Sequence, residues 1–353
     1  MTAVDSPLSL DTLDMFGATA ALPEQVAQAA VDARQVGGLP EHDDIESVVV
    51  LGMGGSGVAG DILLATAAPF MPVPVVVVKS YIPPAFVSDT TLVFAISFSG
   101  DTEETVEAAA EAAVQGAKVV VVSSGGELAR MAESWGAPYI AVPTDGIPQP
   151  RAGLGAMSIP PLVVLEEIGL FPGATEWIEL AVAQLRRRRD SLLRPGNIAT
   201  ELARRIGRTI PLVHGSGALG STAGARWRTQ VNENAKSPAF SSVQPELCHN
   251  EICGWGQHGD ATRQLLTLIA LRHDHEHPQV NRRFELVADM MREVVAGIEE
   301  VRAEGEGELA QLLDLILVGD FTSLHLAAQE GIDPGPIPAL DEIKARLTEE
   351  RQP

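Results

Sequence analysis

The densest set of reactive side chains lies between Thr229 and Glu251, in TQVNENAKSPAFSSVQPELCHNE. Asn232, Glu233, Asn234 and Lys236 come first, then Pro245, Glu246, His249, Asn250 and Glu251. Carboxylates, an ammonium and an imidazole within about twenty residues make a poor core and a suitable set for general acid–base chemistry. Glu233 and His249 are the candidate proton carriers.

Three other stretches could hold an anion: GMGGSG over 52–57, SFSGDTEET over 97–105 and SSGG over 123–126. Each follows a short apolar run. Glycine lets a backbone approach an anion closely, and Ser or Thr hydroxyls add donors. Capping is the alternative for any one loop: Ser56 and Thr102 can cap helices, and Asp101 with Glu104 has capping-box spacing. Three such loops side by side favour a phosphate cradle. GMGGSG also fits the dinucleotide fingerprint G-x-G-x-x-G, which calls for an acidic residue about twenty positions on. Val78-Lys79-Ser80 stands there instead, so a nicotinamide cofactor is disfavoured.

Arg151, in the Pro-rich GIPQPR loop, is either a residue tying down that loop or a fixed positive charge over a site. Lys344 opens the last helical stretch, where a solvated lysine is the plainer reading. Cys248, His249 and Cys253 lie close together, and His273, His275 and His277 alternate, but neither group has a recognised zinc spacing. The three alternating histidines are expected in a solvated loop after a strand.

The elements that must position these residues are legible as alternating runs. After a polar start, one amphipathic helix is expected over 22–35. Short β-branched runs follow at 47–51, 73–78, 91–96, 118–122 and 139–142, with helices between them at 59–67, 103–115 and 127–134. Continuously apolar strands alternating with helices predict a parallel sheet covered on both faces. Further helices are expected at 160–168 and 175–193. The second carries Arg186–Arg189, whose charges suit a solvated face or a helix C-terminus. Arg194-Pro195-Gly196 is the expected boundary. The run 209–213 then leads into HGSGALG as the earlier run leads into GMGGSG, so the second half restarts the first. Strands at 265–271 and 294–301 and helices at 308–318, 321–330 and 343–347 complete it. The expected division is 1–44, 45–170, 171–194 and 195–353.

Composition bounds the partners. The chain has 353 residues, 45% of them hydrophobic, enough for about two domains. With 47 acidic against 25 basic residues its formal charge is −22. Neither nucleic acid nor an anionic membrane is an expected partner, since both attract basic patches. Two cysteines make no disulfide framework, no signal-peptide pattern opens the sequence, and no run reaches the roughly 18 apolar residues of a membrane span. A cytoplasmic location is the expectation.

Together these pieces resemble the sugar isomerase (SIS) domain proteins, specifically the bifunctional phosphoglucose/phosphomannose isomerases, over about residues 45–350. The resemblance rests on Met53-Gly54-Gly55-Ser56, the loop from Ser97 to Thr105, Pro150-Arg151, Asn232-Glu233-Asn234-Ala235-Lys236, Pro245-Glu246-Leu247-Cys248-His249-Asn250, and Gly331-Ile332-Asp333-Pro334 with Lys344. The N-E-N-x-K and P-E-x-x-H-N elements are the specific ones. It implies two tandem SIS-type, doubly wound parallel-sheet α/β domains. It further implies a cofactor-free aldose–ketose isomerase that interconverts glucose 6-phosphate or mannose 6-phosphate with fructose 6-phosphate through an enediol.

By resemblance, Gly54, Gly55, Ser56, Ser97, Ser99 and Thr102 bind the phosphate, and Glu233 shuttles a proton between C1 and C2. His249 assists ring opening, Lys344 lies near the ring or chain oxygens, and Arg151 stands beside the enediolate. The implied assembly is a homodimer with shared sites, with His249 supplied either by its own chain or by the partner subunit. Three positions depart from the family pattern: Gly57-Val58-Ala59-Gly60 replaces Ala-Ile-Gly-Gly, while Asp101 and Cys248 stand where Asn is common. Asp101 adds negative charge beside the cradle. A non-catalytic SIS-type module that only binds a sugar phosphate is the alternative. Sugar-phosphate aminotransfer is less suited, because no N-terminal cysteine is present to release ammonia.

Overall fold

Continuous apolar strands require cover on both faces, and the computed structural model, which describes residues 10–349, supplies it. The expected polar N-terminal stretch begins outside those residues. Helices α1 (Met15–Ala20) and α2 (Leu22–Ala33) lead into β1 (Ser47–Leu51), α3 (Gly54–Thr66), β2 (Val75–Val78), β3 (Thr91–Ser97), α4 (Glu103–Val114), β4 (Lys118–Ser123), α5 (Gly126–Trp135) and β5 (Tyr139–Ala141). These strands form a parallel sheet in the order β2-β1-β3-β4-β5. Alternate residues of one strand serve two cores. Val48, Val50, Leu92, Phe94 and Ile96 enter one, while Val49, Leu51, Val93 and Ala95 enter the other.

Helices α6 (Leu154–Glu167), α7 (Ala174–Leu192) and α8 (Ile198–Ile206) connect to a second unit. It comprises β6 (Ile210–Ser216), α9 (Gly217–Asn234), β7 (Phe240–Gln244), α10 (Gly259–Leu265), β8 (Leu266–Arg272), α11 (Pro278–Met291), β9 (Gly297–Arg302), α12 (Glu308–Gln329) and α13 (Pro338–Glu349). Its sheet is parallel in the order β7-β6-β8-β9, the same crossing pattern as β2-β1-β3-β4. The larger core runs without a break from Val48 and Phe94 of the first sheet to Val213 and Ile269 of the second. Two tandem α/β units are therefore welded along one face.

The structure corrects several expected elements. The helices expected at 308–318 and 321–330 are one, α12, because Gly319 and Asp320 are packing residues rather than a break. A Cβ on Gly319 would lie 2.3 Å from Trp227 Nε1, so the indole of α9 seats directly on the helix backbone. Asp320 receives Arg226 Nε and Nη2 at 3.0 and 2.7 Å. By length and composition α12 could cross a membrane, yet 94% of its apolar window is buried within the protein. Packed against α7, α8 and α9, it is the core helix of the second half.

Helix α6 begins at Leu154 and carries Pro160 and Pro161 internally, where the sequence suggested a start. Of the four arginines expected on a solvated face, Arg188 is buried and pairs with Asp314 of α12 at 2.7 Å. Arg186 and Arg189 reach Glu24 of α2. The histidines expected in a solvated loop are also partly structural, for His273 is buried and His277 caps α11 through Nδ1, which accepts from the Gln279 amide.

Candidate active site

The end of β1 turns into α3 through Gly54, whose φ of 51° lies in the left-handed region that favours glycine. Met53 precedes this helix without capping it by its side chain, and Thr102 likewise precedes α4 without a side-chain cap bond. First-turn N–H groups of both helices are thus left to a ligand or to water, at the end of the sheet where α/β folds bind anions. A Cβ on Gly55 would lie 3.4 Å from Arg151 Cα, so the start of α3 abuts the arginine-bearing loop.

The hydroxyls proposed for the cradle have defined partners. Ser56 Oγ accepts from the Phe98 amide at 3.2 Å and donates to Met157 Sδ, linking the β1 and β3 loops. The Ser97 and Thr102 hydroxyls share a hydrogen bond of 2.8 Å, and Ser97 Oγ also accepts from the Gly100 amide at 3.1 Å. Ser99 Oγ accepts from the Asp101 amide at 3.2 Å. Ser56 and Ser97 are buried, whereas Gly54 and Ser99 are exposed at the rim. Capping-type bonds and an anion-ready rim therefore coexist in one loop cluster.

Asp101 is not aimed solely at a ligand. Its Oδ1 accepts from the Glu127 amide at 2.8 Å, in the first turn of α5, where a carboxylate meets the positive end of the helix. That bond ties the second loop to the third. Gly100 makes the same junction tight: its φ is 77°, and an added Cβ would sit 1.8 Å from Gly125 O. Gly100→Ala is expected to cost at least ~2 kcal/mol of stability, from the left-handed backbone plus the overlap. Gly146→Ala is its control, because φ there is 71° with nothing within 4 Å. Urea denaturation of the two variants checks this, and equal losses would mean that the Gly100–Gly125 approach is unimportant.

The candidate acid–base residues come from the second half. Glu233 and Asn234 are the last two residues of α9, and Lys236 follows with φ 52°. Arg151 reaches them from the first half. Its Nε donates to Asn234 Oδ1 at 2.8 Å, and its Nη2 donates to Pro334 O and Gly335 O at 2.6 and 2.8 Å. Arg151 Nη1 has no hydrogen-bond partner, and Glu233 Oε2 lies 3.8 Å from it. The Arg151 side chain is 2% exposed and that of Glu233 29%, so the carboxylate stands between a buried guanidinium and solvent. Burial lowers the Arg151 pKa from its ordinary value, and the Glu233 charge opposes that shift.

Lys236 acts as a clamp. Its Nζ donates to Glu233 O at 2.8 Å and to Asp333 O and Pro334 O at 3.0 Å each. Burial, and after it the Arg151 charge, lowers the Lys236 pKa. The lysine and the arginine thus fix the 333–335 segment from which α13 departs. Lys344 lies exposed on α13. His249 is set apart: it ends the short turn Glu246–His249 after β7, is exposed, and its side chain pairs with none of these groups. Glu251, two residues on, anchors that turn by meeting His214 Nε2 of β6 at 2.9 Å.

Sequence reading missed Arg226 and Asp320, the buried pair beneath the site. Arg226 Nη2 also donates to Arg151 O at 2.7 Å, so the pair supports the arginine loop from below. The available signal was Asp320 itself, a carboxylate inside a long apolar run.

Comparison with known proteins bears on this arrangement. The family model for the SIS domain matches residues 44–137, and that for the bacterial phospho-glucose isomerase C-terminal SIS domain matches 196–347. A bifunctional phosphoglucose/phosphomannose isomerase from Caldicellulosiruptor bescii is 34% identical over 95% of this chain and 99% of its own length. One from Aquifex aeolicus is 33% identical over 86% of this chain and 90% of its own. The solved structure of a glucose-6-phosphate isomerase like protein from Thermus thermophilus shares the fold, with a TM-score of 0.58 at 19% identity, covering 96% of each chain. Identity at the level of the two sequence relatives over nearly the full length, with both halves matched by their own models, places the chain in the bifunctional phosphoglucose/phosphomannose isomerase family.

Proposed function

We propose that the protein interconverts glucose 6-phosphate and mannose 6-phosphate with fructose 6-phosphate, using its own side chains as acid, base and electrophile. The observation that carries this reading is Glu233 Oε2 at 3.8 Å from the unpartnered, buried Arg151 Nη1, next to the start of α3. With the phosphate held at the N-termini of α3 and α4, an opened hexose extends toward α9. Glu233 removes the proton from C2 of the aldose, and the electron pair moves through C1–C2 to the carbonyl oxygen. Arg151 stabilises the resulting enediolate, since a charge-assisted donor in a dry site is strongest where charge develops. A proton passes from the C2 hydroxyl to the C1 oxygen, and the carbon-derived proton held by Glu233 returns to C1 as the C2–O bond becomes the carbonyl, giving the ketose.

Ring opening needs a second proton carrier, and we assign it to His249 of a partner subunit in a homodimer. What supports this is that His249 is exposed and makes no side-chain pair with the acid–base residues of its own chain. Lys344, on the helix leaving the clamped 333–335 segment, is the residue we assign to the sugar oxygens.

Incubation with glucose 6-phosphate and with mannose 6-phosphate in separate reactions is expected to yield fructose 6-phosphate from both. Thermal stabilisation by either sugar phosphate without product would instead identify a binding module.

A further inference from the structure

The stretch ahead of α1, Leu10–Asp14, contains none of the motif residues, yet the fold lays it across the segment that holds Arg151. Thr12 Oγ1 donates to Asp333 Oδ2 at 2.6 Å, across 321 residues of sequence. Asp333 Oδ1 accepts from the Gly335 amide at 3.0 Å, and Gly335 O accepts from Arg151 Nη2 at 2.8 Å. One relay therefore runs from Thr12 through a carboxylate and a glycine to the guanidinium. Leu13 lies over the same glycine, because a Cβ on Gly335 would be 2.8 Å from Leu13 Cγ.

The stretch is itself anchored at its far end. Asp11 Oδ1 and Oδ2 accept from the Met15 and Phe16 amides at 2.8 and 2.9 Å, tying it to the first turn of α1. Met15 is buried, and Phe16 packs edge-on against Phe321 and His325 of α12, with ring centroids 6.2 and 5.1 Å away. Asp14 turns the chain into α1 with φ 53°, a left-handed conformation uncommon outside glycine. Burial alone would raise the Asp333 pKa, but the Thr12 hydroxyl, then the Gly335 and Thr12 amides, lower it. The carboxylate thus stays ionised and able to accept from both sides.

The consequence for Arg151 follows from the planarity of its guanidinium. Nε is fixed on Asn234 Oδ1 and Nη2 on Pro334 O and Gly335 O, so the direction of the remaining nitrogen, Nη1, is set by those two anchors. We infer that Leu10–Asp14 is a positioning strap, in which Thr12 and Leu13 fix Asp333–Gly335 and through that segment aim Arg151 Nη1 at the reacting oxygens beside Glu233. This rests on the reading of Arg151 as the group that meets the enediolate. Thr12 and Leu13 touch no reacting atom and act through Gly335.

Kinetics of full-length Thr12→Val/Leu13→Ala, together with hydrogen exchange of its backbone amides, test this. Its kcat for glucose 6-phosphate is expected to fall about tenfold or more with KM changed less than about twofold, as when a group that acts in the transition state is misaimed. Thr12→Val alone alters one exposed side chain, leaves folding intact and should show part of the same loss. Thr12→Ser keeps the donor and should match wild type. In an Arg151→Lys background the double substitution should cost less than about twofold, because the group it aims is gone. Amides in peptides covering 149–153 and 331–337 should exchange faster in Thr12→Val/Leu13→Ala, while those of β3 and β4 do not. Equal losses of kcat in both backgrounds would indicate a general effect on the fold and overturn the inference, as would unchanged exchange at 331–337. An impaired Arg151→Lys beside an unimpaired Thr12→Val/Leu13→Ala overturns the strap alone. Wild-type turnover by Arg151→Lys would overturn the reading of Arg151 itself, and the aim with it.

Discussion

Glu233→Gln is expected to lower kcat for glucose 6-phosphate by about 10²–10⁴-fold, the scale of losing a positioned general base. The substitution keeps the side-chain shape and removes only the ability to accept a proton. Its structural cost is small, because Glu233 stands at the end of α9, is 29% exposed, and faces Arg151 Nη1 at 3.8 Å, beyond hydrogen-bond length. Substrate binding should persist as well, since the phosphate is assigned to the starts of α3 and α4. The expected signature is therefore a collapse in kcat with KM changed little and the melting temperature retained. Coupled-assay kinetics with both aldose phosphates would show it. Wild-type rates in this variant would mean that another group carries the proton, and the proposed mechanism would fail.

Glu233 was legible as a candidate proton carrier before its surroundings were, and the reason is physical. Strands β1, β3 and β4 are buried on both faces, so each reads as a run of Val, Leu and Ile whose limits the structure nearly matches. The glycine and hydroxyl loops at their ends are local features and were equally plain. Helix α9 was not, because its buried face is built from Gly224, Ala223, Thr222, Arg226 and Trp227 rather than from an aliphatic stripe. Strand β7 (Phe240–Gln244) is an edge strand with a polar sequence, FSSVQ, and leaves little periodic signal. Convergence of Arg151 on α9 could not be read at all, for Arg151 and its partner Asn234 are 83 residues apart and meet only when both sheets pack. Nor could the role of Asp101, since a charge beside a phosphate loop and a cap on α5 are the same residue in sequence.

Arg226→Met is expected to destabilise the protein by about 3–5 kcal/mol, the usual cost of breaking a buried ion pair by removing one member. Both side chains of the Arg226–Asp320 pair are buried, at 2% and 6% exposure, with Nη2 to Oδ2 at 2.7 Å. Burial raises the Asp320 pKa and the Arg226 charge opposes that shift, so removing Arg226 raises it further. A carboxyl whose folded pKa is raised above its unfolded value keeps its contribution at low pH and loses it as pH rises. The deficit of Arg226→Met should accordingly be smallest below the ordinary carboxylate range and widen as pH climbs through and above it. Adding Asp320→Asn to Arg226→Met removes the stranded charge and should recover part of the stability. Activity should not recover with it, because Arg226 Nη2 also holds Arg151 O at 2.7 Å, and an amide introduced on α12 does not restore that bond. Urea denaturation across pH, alongside kcat/KM for the single and double variants, separates the two effects. A single variant within about 1 kcal/mol of wild type at neutral pH would show that the pair is not what braces the arginine loop. Recovery of both stability and rate in the double variant would show that charge alone, not the bond to Arg151, links α12 to the site.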